Sequence, residues 1–369
     1  MSIKYTGNTE DCLKRLKVKR YDSGVGIRTY GGCDNVARKK TLNALTSLKG
    51  IFCLIIALHN TMLIYFLFDR VPGMSFIQLF GGTMGNSLFF MISGFLFAYH
   101  YQERIRLHEV SFRDVLLRRL VKLYPLYILA NAVSLLVNLW LYGPSAINLS
   151  KIAMILLLQS YEPYNMPTWF IAALFACYVV FYGISYATKN KTQYLYAVVF
   201  FVLVGISLKT ELPFLSARNR FAYMNFFTGC IFAELYPMIV RKNNRWLHHV
   251  CFVLLAGIAY MFLKYGVEII SGDVNLAFTF VVSPLIMYLA LADGLYSKVL
   301  QIRPLVGLGN ISTFVYFWHL PLYYVFCGLL SGETIQEKQY VLYVVLLIAL
   351  STLSWKCMER NQQRAAKKC

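Results

Sequence analysis

The chain has 369 residues, of which 58% are hydrophobic and 16% aromatic, with a mean hydropathy of +0.54 and a formal net charge of +19. Because a soluble domain typically has about 45–50% apolar residues, this composition excludes an ordinary soluble protein and predicts an all-α, polytopic integral membrane protein. The positive charge lies in short blocks between apolar runs rather than in one basic domain, which argues against nucleic-acid binding.

The chain is predicted to have three regions. Residues 1–45 are basic and contain several glycines, which predicts a flexible cytoplasmic tail. Residues 46–360 form a transmembrane domain, and residues 361–369 form a short basic cytoplasmic tail. No cleavable signal peptide is expected, because the first apolar run comes after about 45 polar and basic residues.

Ten apolar runs are candidates to cross a bilayer, whose hydrocarbon core is spanned by about 20 residues of helix. They lie at residues 46–68, 78–101, 120–142, 167–188, 193–208, 221–240, 247–263, 274–292, 306–330 and 339–358. A further apolar piece, residues 147–159, is too short to cross comfortably and is predicted to be an interfacial or re-entrant helix.

Positive charge is distributed unevenly between the two sets of loops that ten crossings would create. The N-terminal tail, the loops on its side and the C-terminus hold 29 of the 36 Lys and Arg residues, and the other side holds 7. Since Lys and Arg favour the cytoplasmic side, both termini are predicted to be cytoplasmic.

The nine cysteines form no CxxC pair, and most lie in or beside apolar runs. We interpret them as small buried hydrophobic residues and expect neither disulfide bonds nor a metal site.

The first apolar run has Lys49 at its entrance and His59 in its middle. On a helix, His59 lies about 15 Å deeper than Lys49 and about 80° away around the axis, so both side chains could border one cavity. A titratable imidazole at this depth predicts a functional site that faces protein or water. The alternative is a structural histidine bonded to a neighbouring helix.

Two other polar features interrupt the apolar runs. Ser93 precedes a glycine in the second span, a pattern typical of helix packing in which Ser93 bonds across helices. His319 lies about halfway along the ninth span beside Pro321. It either orients an acceptor or bonds a backbone carbonyl that the proline leaves free.

Arg118, Arg119 and Lys122 lie at the entrance to the third span, on adjoining faces of the predicted helix. They suit phosphate groups, through paired guanidinium hydrogen bonds and the lysine charge. The alternative is an anchor that only sets topology.

Together these stretches resemble the membrane-bound acyltransferase family 3, whose members include bacterial O-acetyltransferases of surface sugars. The resemblance covers about residues 44–360. It rests on Lys49-Gly50-Ile51 with His59, FFMISGF (89–95), RRLVKLYP (118–125), Trp169-Phe170, Arg218 and Arg220 before FTGC (227–230), LGNISTFVYFWHLPL (308–322), and Glu359-Arg360. The family usually has an arginine, ten intervening residues and a histidine. Here nine residues separate Lys49 from His59, and Asn60 occupies the usual histidine position.

The resemblance implies a bacterial inner-membrane, multi-pass enzyme that moves an acyl group, most often acetyl, from cytoplasmic acyl-CoA to a hydroxyl of a cell-surface glycan or other envelope acceptor. Acyl-CoA is then a donor substrate, and no bound cofactor is expected. His59 is the expected general base. Lys49, Arg118, Arg119 and Lys122 are expected to bind acyl-CoA. The substrate cavity is expected to include Asn60, Ser93, Trp169, His319 and Glu359.

An alternative from another class is a transporter or flippase for a saccharide or a lipid-linked saccharide. Such a protein would share the spans and the polar residues at mid-membrane, but it should have discontinuous helices in paired positions, and the sequence has no visible pair of this kind. If the enzyme needs a hydrolase-like domain for extracytoplasmic transfer, we expect a partner protein to supply it.

Overall fold

The part of the chain that the structure describes contains helices and no strands. The computed structural model describes residues 32–61, 82, 84–159, 162–207, 212, 214–242, 244–265, 274–329 and 337–366. The helices are α1 (Gly32–Asn60), α2 (Gly85–Arg106), α3 (Phe112–Tyr142), α4 (Leu149–Leu156), α5 (Trp169–Ala187), α6 (Lys191–Ser207), α7 (Ala217–Lys242), α8 (Arg245–Tyr265), α9 (Val274–Leu291), α10 (Leu295–Leu300), α11 (Arg303–Leu329) and α12 (Glu337–Ala366). The backbone of α9 is π-helical over Phe278–Val282, and 3-10 turns occur at Gly143–Ala146 and Met166–Thr168.

Within the described residues, five helical segments are long and apolar enough to cross a membrane. They are Leu42–Asn60, Phe112–Ala146, Met166–Ala187, Val274–Leu291 and Gln339–Arg360. A helix satisfies its own backbone hydrogen bonds, which is why apolar segments adopt it in a bilayer. The prediction of an all-α membrane protein is confirmed, and each of the ten predicted runs overlaps one of the helices α1 to α12.

The ends of two helices differ from the predicted boundaries. α1 begins at Gly32 and α12 continues to Ala366, so both helices extend into regions predicted as tails. The predicted boundaries marked where hydropathy changes, whereas a helix can continue through polar residues into water. Residues 1–31, 62–68 and 367–369 lie outside the described residues.

Helices α2 and α7 approach so closely that glycine is required at two positions. A side chain at Gly94 of α2 would overlap the carbonyl oxygen of Phe226 on α7, and one at Gly229 of α7 would overlap the carbonyl oxygen of Met91. α2 has buried residues around most of its circumference, as expected for a helix in the centre of a bundle. Small residues let helix backbones pack closely in membranes.

The directions of neighbouring helices can be read from their contacts. α1 and α11 run parallel, since Cys53 bonds the carbonyl of Ser312 and Asn60 contacts His319 at the same sequence offset of 259 residues. Rings of α2 meet those of α5 in parallel order: Phe90 with Phe170, then Phe97 with Tyr178.

Two pairs of consecutive long helices run in opposite directions. α6 and α7 are antiparallel, with Lys191 paired to Glu234 at one end and Gly205 against the backbone of Arg220 at the other. α11 and α12 are also antiparallel, because Trp318 bonds Ser354 whereas Phe326, later on α11, contacts Tyr343, earlier on α12. These directions match the order in which successive apolar runs would alternate across a membrane.

Candidate active site

Two histidines and an asparagine meet where α1 ends beside the middle of α11. The backbones of the two helices approach at a pair of glycines; a Cβ atom on Gly50 would lie 2.5 Å from the amide nitrogen of Gly309. Further along the same two helices, Nδ2 of Asn60 lies 3.1 Å from Nε2 of His319. The glycine contact therefore brings the polar side chains of the later turns within bonding distance.

Polar contacts connect this group to its surroundings. Nδ1 of His59 lies 3.4 Å from Oδ1 of Asn60, and Nδ1 of His319 lies 3.2 Å from the carbonyl oxygen of Val315. The hydroxyl of Tyr343 on α12 donates to the carbonyl of His319 at 2.8 Å. His319 is fully buried, whereas His59 and Asn60 are partly exposed. His59 is therefore the imidazole that a substrate can reach.

Gly82, just before α2, lies against the ring of His59. A Cβ atom at this position would lie 3.3 Å from Cε1 of His59, which is tighter than an ordinary van der Waals contact. Nδ2 of Asn86 donates to the carbonyl of Gly82 at 2.9 Å and holds it in place. The glycine thus leaves room for the imidazole.

The backbone carbonyl that Pro321 leaves free is bonded by a residue other than His319. Proline has no N–H, so the carbonyl of Phe317, four residues earlier, loses its helical donor. Nδ2 of Asn165 donates to this carbonyl at 2.8 Å, while His319 contacts Val315 instead. The expectation that His319 bonds the freed carbonyl is therefore wrong.

Asn165 belongs to a segment that returns into the bundle after α3. Its N–H donates to Oδ1 of Asn131 at 3.1 Å, and Nδ2 of Asn131 donates to the hydroxyl of Thr168 at 3.0 Å. Asn131 lies about 16 Å before the end of α3 along the helix axis. The buried hydroxyl of Tyr127 also donates to the carbonyl of Ile155 in α4, at 3.1 Å. Between the two alternatives for residues 147–159, these contacts favour a re-entrant helix.

A row of aromatic rings connects the re-entrant segment to His319. Trp169, the first residue of α5, has its ring centre 6.0 Å from that of Phe90. Phe90 lies 4.2 Å from Phe170, which lies 5.7 Å from Tyr316. Tyr316 in turn lies 5.9 Å from the ring of His319. Trp169, a predicted cavity residue, is thus part of an apolar wall that ends at the imidazole pair.

Cations predicted to bind the donor gather near the start of the apolar part of α1. Lys49 is close enough to Arg119 and Lys122 of α3 for their positive charges to act on it. The guanidinium carbon of Arg119 lies 5.5 Å from the ring centre of Phe97 and 5.9 Å from that of Tyr101. Because like charges repel, three gathered cations make a site that favours an anion.

Other predicted site residues lie elsewhere. Arg118 is exposed beside Arg119, and Ser93 is partly buried next to the glycine at which α2 crosses α7. Glu359 is exposed near the end of α12. It comes sixteen positions after Tyr343, the residue that contacts His319, which is about 24 Å of helix. The structure therefore places Glu359 away from the imidazole pair.

Several residues around the site were not selected from the sequence. Tyr316 bonds the carbonyl of Pro167 at 2.8 Å, and Asn165 and Tyr343 hold the backbone of α11. The guanidinium carbon of Arg218 lies 5.4 Å from the ring centre of Trp169. Arg218 lies in a stretch that contributes to the family resemblance. Asn165 is a polar residue just before the apolar run at residues 167–188. Tyrosines in apolar runs carry no comparable signal.

In the described part of the chain, no group of three or more His, Cys, Asp and Glu side chains could hold a metal ion. The cysteines described there are free thiols: Cys53, Cys177, Cys230, Cys251, Cys327 and Cys357.

A bundle of apolar helices around one buried and one partly exposed imidazole, with cations gathered earlier along α1, defines an integral membrane protein with a polar site between its helices. A sequence model described as an acyltransferase domain matches residues 42–355. The chain therefore belongs to the acyltransferase 3 family, and the resemblance seen in its sequence is confirmed.

Curated relatives are similar to 76% of the chain. They include the O-acetyltransferase OatA of Staphylococcus aureus strain NCTC 8325 / PS 47 and the proteins of that name from strains COL and MRSA252. Each is 23% identical over 320 residues, which cover 76% of this chain and 52% of the relative. The chain thus spans about half the length of these relatives. No solved structure matches it.

Proposed function

We propose that this protein is an O-acyltransferase that moves an acyl group, most often acetyl, from cytoplasmic acyl-CoA to a hydroxyl of a cell-surface glycan or other envelope acceptor. Beside the family membership, one observation carries the proposal. Cations gather around Lys49 at the start of the apolar part of α1, and a partly exposed imidazole lies about 15 Å further along the axis of this helix. Acyl transfer from a phosphorylated thiol carrier to a hydroxyl requires a site for the anion and a base for the hydroxyl.

The donor binds at the cation cluster. Lys49, Arg119 and Lys122 neutralise the phosphate groups of acyl-CoA, and the exposed Arg118 adds a further donor at the entrance. Contacts with Phe97 and Tyr101 restrict the guanidinium of Arg119, which favours paired hydrogen bonds to a phosphate. The acyl thioester then extends along α1 towards His59.

His59 acts as the general base. Its imidazole removes the proton of the acceptor hydroxyl while the oxygen attacks the thioester carbonyl carbon. The tetrahedral intermediate collapses, the carbon–sulfur bond breaks, and the imidazolium returns the proton to the departing CoA thiolate. Such acid–base assistance usually contributes about 10²–10⁴ in rate.

Remaining residues shape the cavity. The aromatic wall from Trp169 to Tyr316 is mostly buried, so it limits water near the thioester and favours transfer over hydrolysis. The re-entrant segment, held by Asn131 and Asn165, positions Trp169 at the start of this wall. We assign the acceptor to the side of the cavity that this segment borders.

The enzyme spans the bacterial inner membrane ten times, with both termini in the cytoplasm. Two observations support this topology: the distribution of Lys and Arg between the two sets of loops, and the opposite directions of α6 and α7 and of α11 and α12. The cation cluster then faces the cytoplasm, where acyl-CoA is found. If the acceptor lies on the extracytoplasmic side of the inner membrane, out of reach of this site, a partner protein completes the transfer.

Purified protein in proteoliposomes, supplied with acetyl-CoA labelled in the acetyl group and with envelope glycan, tests the proposal. We expect CoA release that depends on the glycan and a labelled ester on the product. A transporter or flippase would instead move the saccharide across the bilayer without acetyl-CoA. Saccharide movement without CoA release would contradict the proposal.

A further inference from the structure

The surroundings of His319 determine which of its nitrogens carries a proton. A carbonyl oxygen only accepts hydrogen bonds, so Nδ1 of His319, 3.2 Å from the carbonyl of Val315, must carry the N–H. His319 is fully buried, and loss of water disfavours the charged imidazolium. Its Nε2 is therefore an acceptor.

This assignment sets the orientation of the Asn60 amide. The acceptor Nε2 of His319 lies 3.1 Å from the amide nitrogen of Asn60, which donates to it. The amide oxygen of Asn60 must then face His59, whose Nδ1 lies 3.4 Å away. An amide oxygen accepts, so Nδ1 of His59 is the donor, and its Nε2 holds the lone pair.

We propose that Asn60 is a positioning residue that fixes the tautomer of His59, so that Nε2 is the nitrogen that takes the proton of the acceptor hydroxyl. His319 acts through Asn60 by holding the amide in this orientation. The inference rests on the proposed function and assigns roles to Asn60 and His319 within that same site.

The longer of the two Asn60 contacts fits this role. At 3.4 Å the contact between His59 and the amide oxygen is weak in the resting protein. When His59 gains a proton during the reaction, its N–H becomes a charged donor, and such hydrogen bonds are shorter and stronger. Asn60 therefore stabilises the imidazolium more than the neutral ring, as a group that assists a general base should.

The first test compares Asn60→Ala with Asn225→Ala. Asn225 is fully buried, and its amide connects two helices: Nδ2 donates to the carbonyl of Phe221 on its own helix and Oδ1 accepts from Thr279 on α9. We expect Asn60→Ala to lower kcat by about 10²-fold, since loss of the correct tautomer of a catalytic histidine costs up to about 10⁴-fold. The KM for acetyl-CoA should stay unchanged. Asn225→Ala should lower thermal stability but not kcat per folded molecule.

The second test separates the two possible roles of His319. The side chain in His319→Gln can still accept the amide hydrogen of Asn60, whereas that in His319→Leu cannot. We expect His319→Gln to keep kcat within about threefold of the wild type and His319→Leu to lose about as much as Asn60→Ala, because only the acceptor is needed.

The outcomes distinguish this inference from the proposed function. If the wild type transfers no acyl group, the proposed function fails. If the wild type is active but Asn60→Ala keeps its kcat, or if His319→Gln is as inactive as His319→Leu, the positioning role is overturned. If Asn60→Ala does not fold, the two His319 variants decide: retained kcat in His319→Gln together with loss of kcat in folded His319→Leu supports the role, and equal kcat in the two folded variants overturns it.

Discussion

The α1–α11 pair and the α2–α7 pair pack in the same way but differ in the side chains that they bring together. In both pairs, glycine brings two backbones together where a side chain would overlap the partner. Beyond the glycines, α1 and α11 present an amide and an imidazole to each other. α2 and α7 present aromatic rings, such as Phe95 and Tyr236. Close packing is therefore common to both pairs, and the proposed chemistry belongs to one of them.

A buried or partly buried asparagine in each pair shows the same difference. Asn225 on α7 bonds a backbone carbonyl and a threonine hydroxyl, and neither partner titrates near neutral pH. Asn60 on α1 contacts two imidazoles, side chains that can act as a general acid or base. The hydrogen-bond partners of an asparagine therefore distinguish a role in helix packing from a role in a reaction.

His59→Ala, a substitution in the α1–α11 pair, should have the largest effect on the rate of acyl transfer. We expect it to lower the rate of acyl transfer by about 10²–10⁴, the usual contribution of a general base. Stability should change little, because the side chain is partly exposed. Labelled acetyl transfer in proteoliposomes measures the effect, with His249→Ala, an exposed histidine of α8, as the control. Full activity in His59→Ala would exclude the base assignment.

A valine at the close contact of each helix pair should distinguish an effect on stability from an effect on kcat. Gly309→Val and Gly94→Val both place a side chain against a partner backbone, and overpacking of this kind costs about 1–3 kcal/mol or more. We expect both to lower the thermal midpoint in detergent. Only Gly309→Val should also lower kcat per folded molecule, because it changes the spacing of Asn60 and His319.

Gly307→Val is the matched control on the same helix, since a Cβ atom at Gly307 meets no atom within 4 Å. It should leave both stability and kcat near those of the wild type. Equal losses of kcat in Gly309→Val and Gly94→Val would show that the two crossings contribute equally to the site.

The helices themselves could be predicted from the sequence, because apolar runs of this length have few other solutions in a bilayer. Their pairing could not, since nothing local to residues 46–60 indicates that they meet residues 309–319. The glycines at positions 94, 229 and 309 were visible in the sequence, but only the structure shows that they face partner backbones.

The site was predictable in part. His59 and His319 were selected because titratable residues are rare at mid-membrane, and Asn60 because it occupies the usual histidine position of the family. The structure brings the three together. The one-residue shift seen in the sequence has a structural counterpart: Asn60 faces α11, and His59 lies against Gly82. Asn165 could not be assigned a role, because its partner is a carbonyl that becomes available only through a proline on a distant helix.

The cation cluster, which lies between α1 and α3, gives a smaller predicted effect. Lys49→Gln and Arg119→Gln should raise the KM for acetyl-CoA about tenfold or more, since a hydrogen bond to a charged group contributes about 1.5–3 kcal/mol. The kcat should change little, because neither residue contacts the imidazoles. Initial rates over a range of acetyl-CoA concentrations measure both values. Lys151→Gln, a control in α4, should leave KM unchanged, and an unchanged KM in the first two variants would make those cations topology anchors.

Glu359→Gln should have the smallest effect, because the carboxylate is exposed near the end of α12 and about 24 Å of helix separates it from Tyr343. Exposed substitutions usually change stability by no more than about 0.5 kcal/mol, so we expect kcat, KM and the thermal midpoint to stay close to those of the wild type. A large loss of transfer in a folded Glu359→Gln protein would extend the functional region from α1 and α11 to the far end of α12. Because α12 contacts His319 through Tyr343, far from Glu359, such a result would require the acyl-CoA site to reach that end of the helix, and a raised KM for acetyl-CoA with kcat unchanged would identify it.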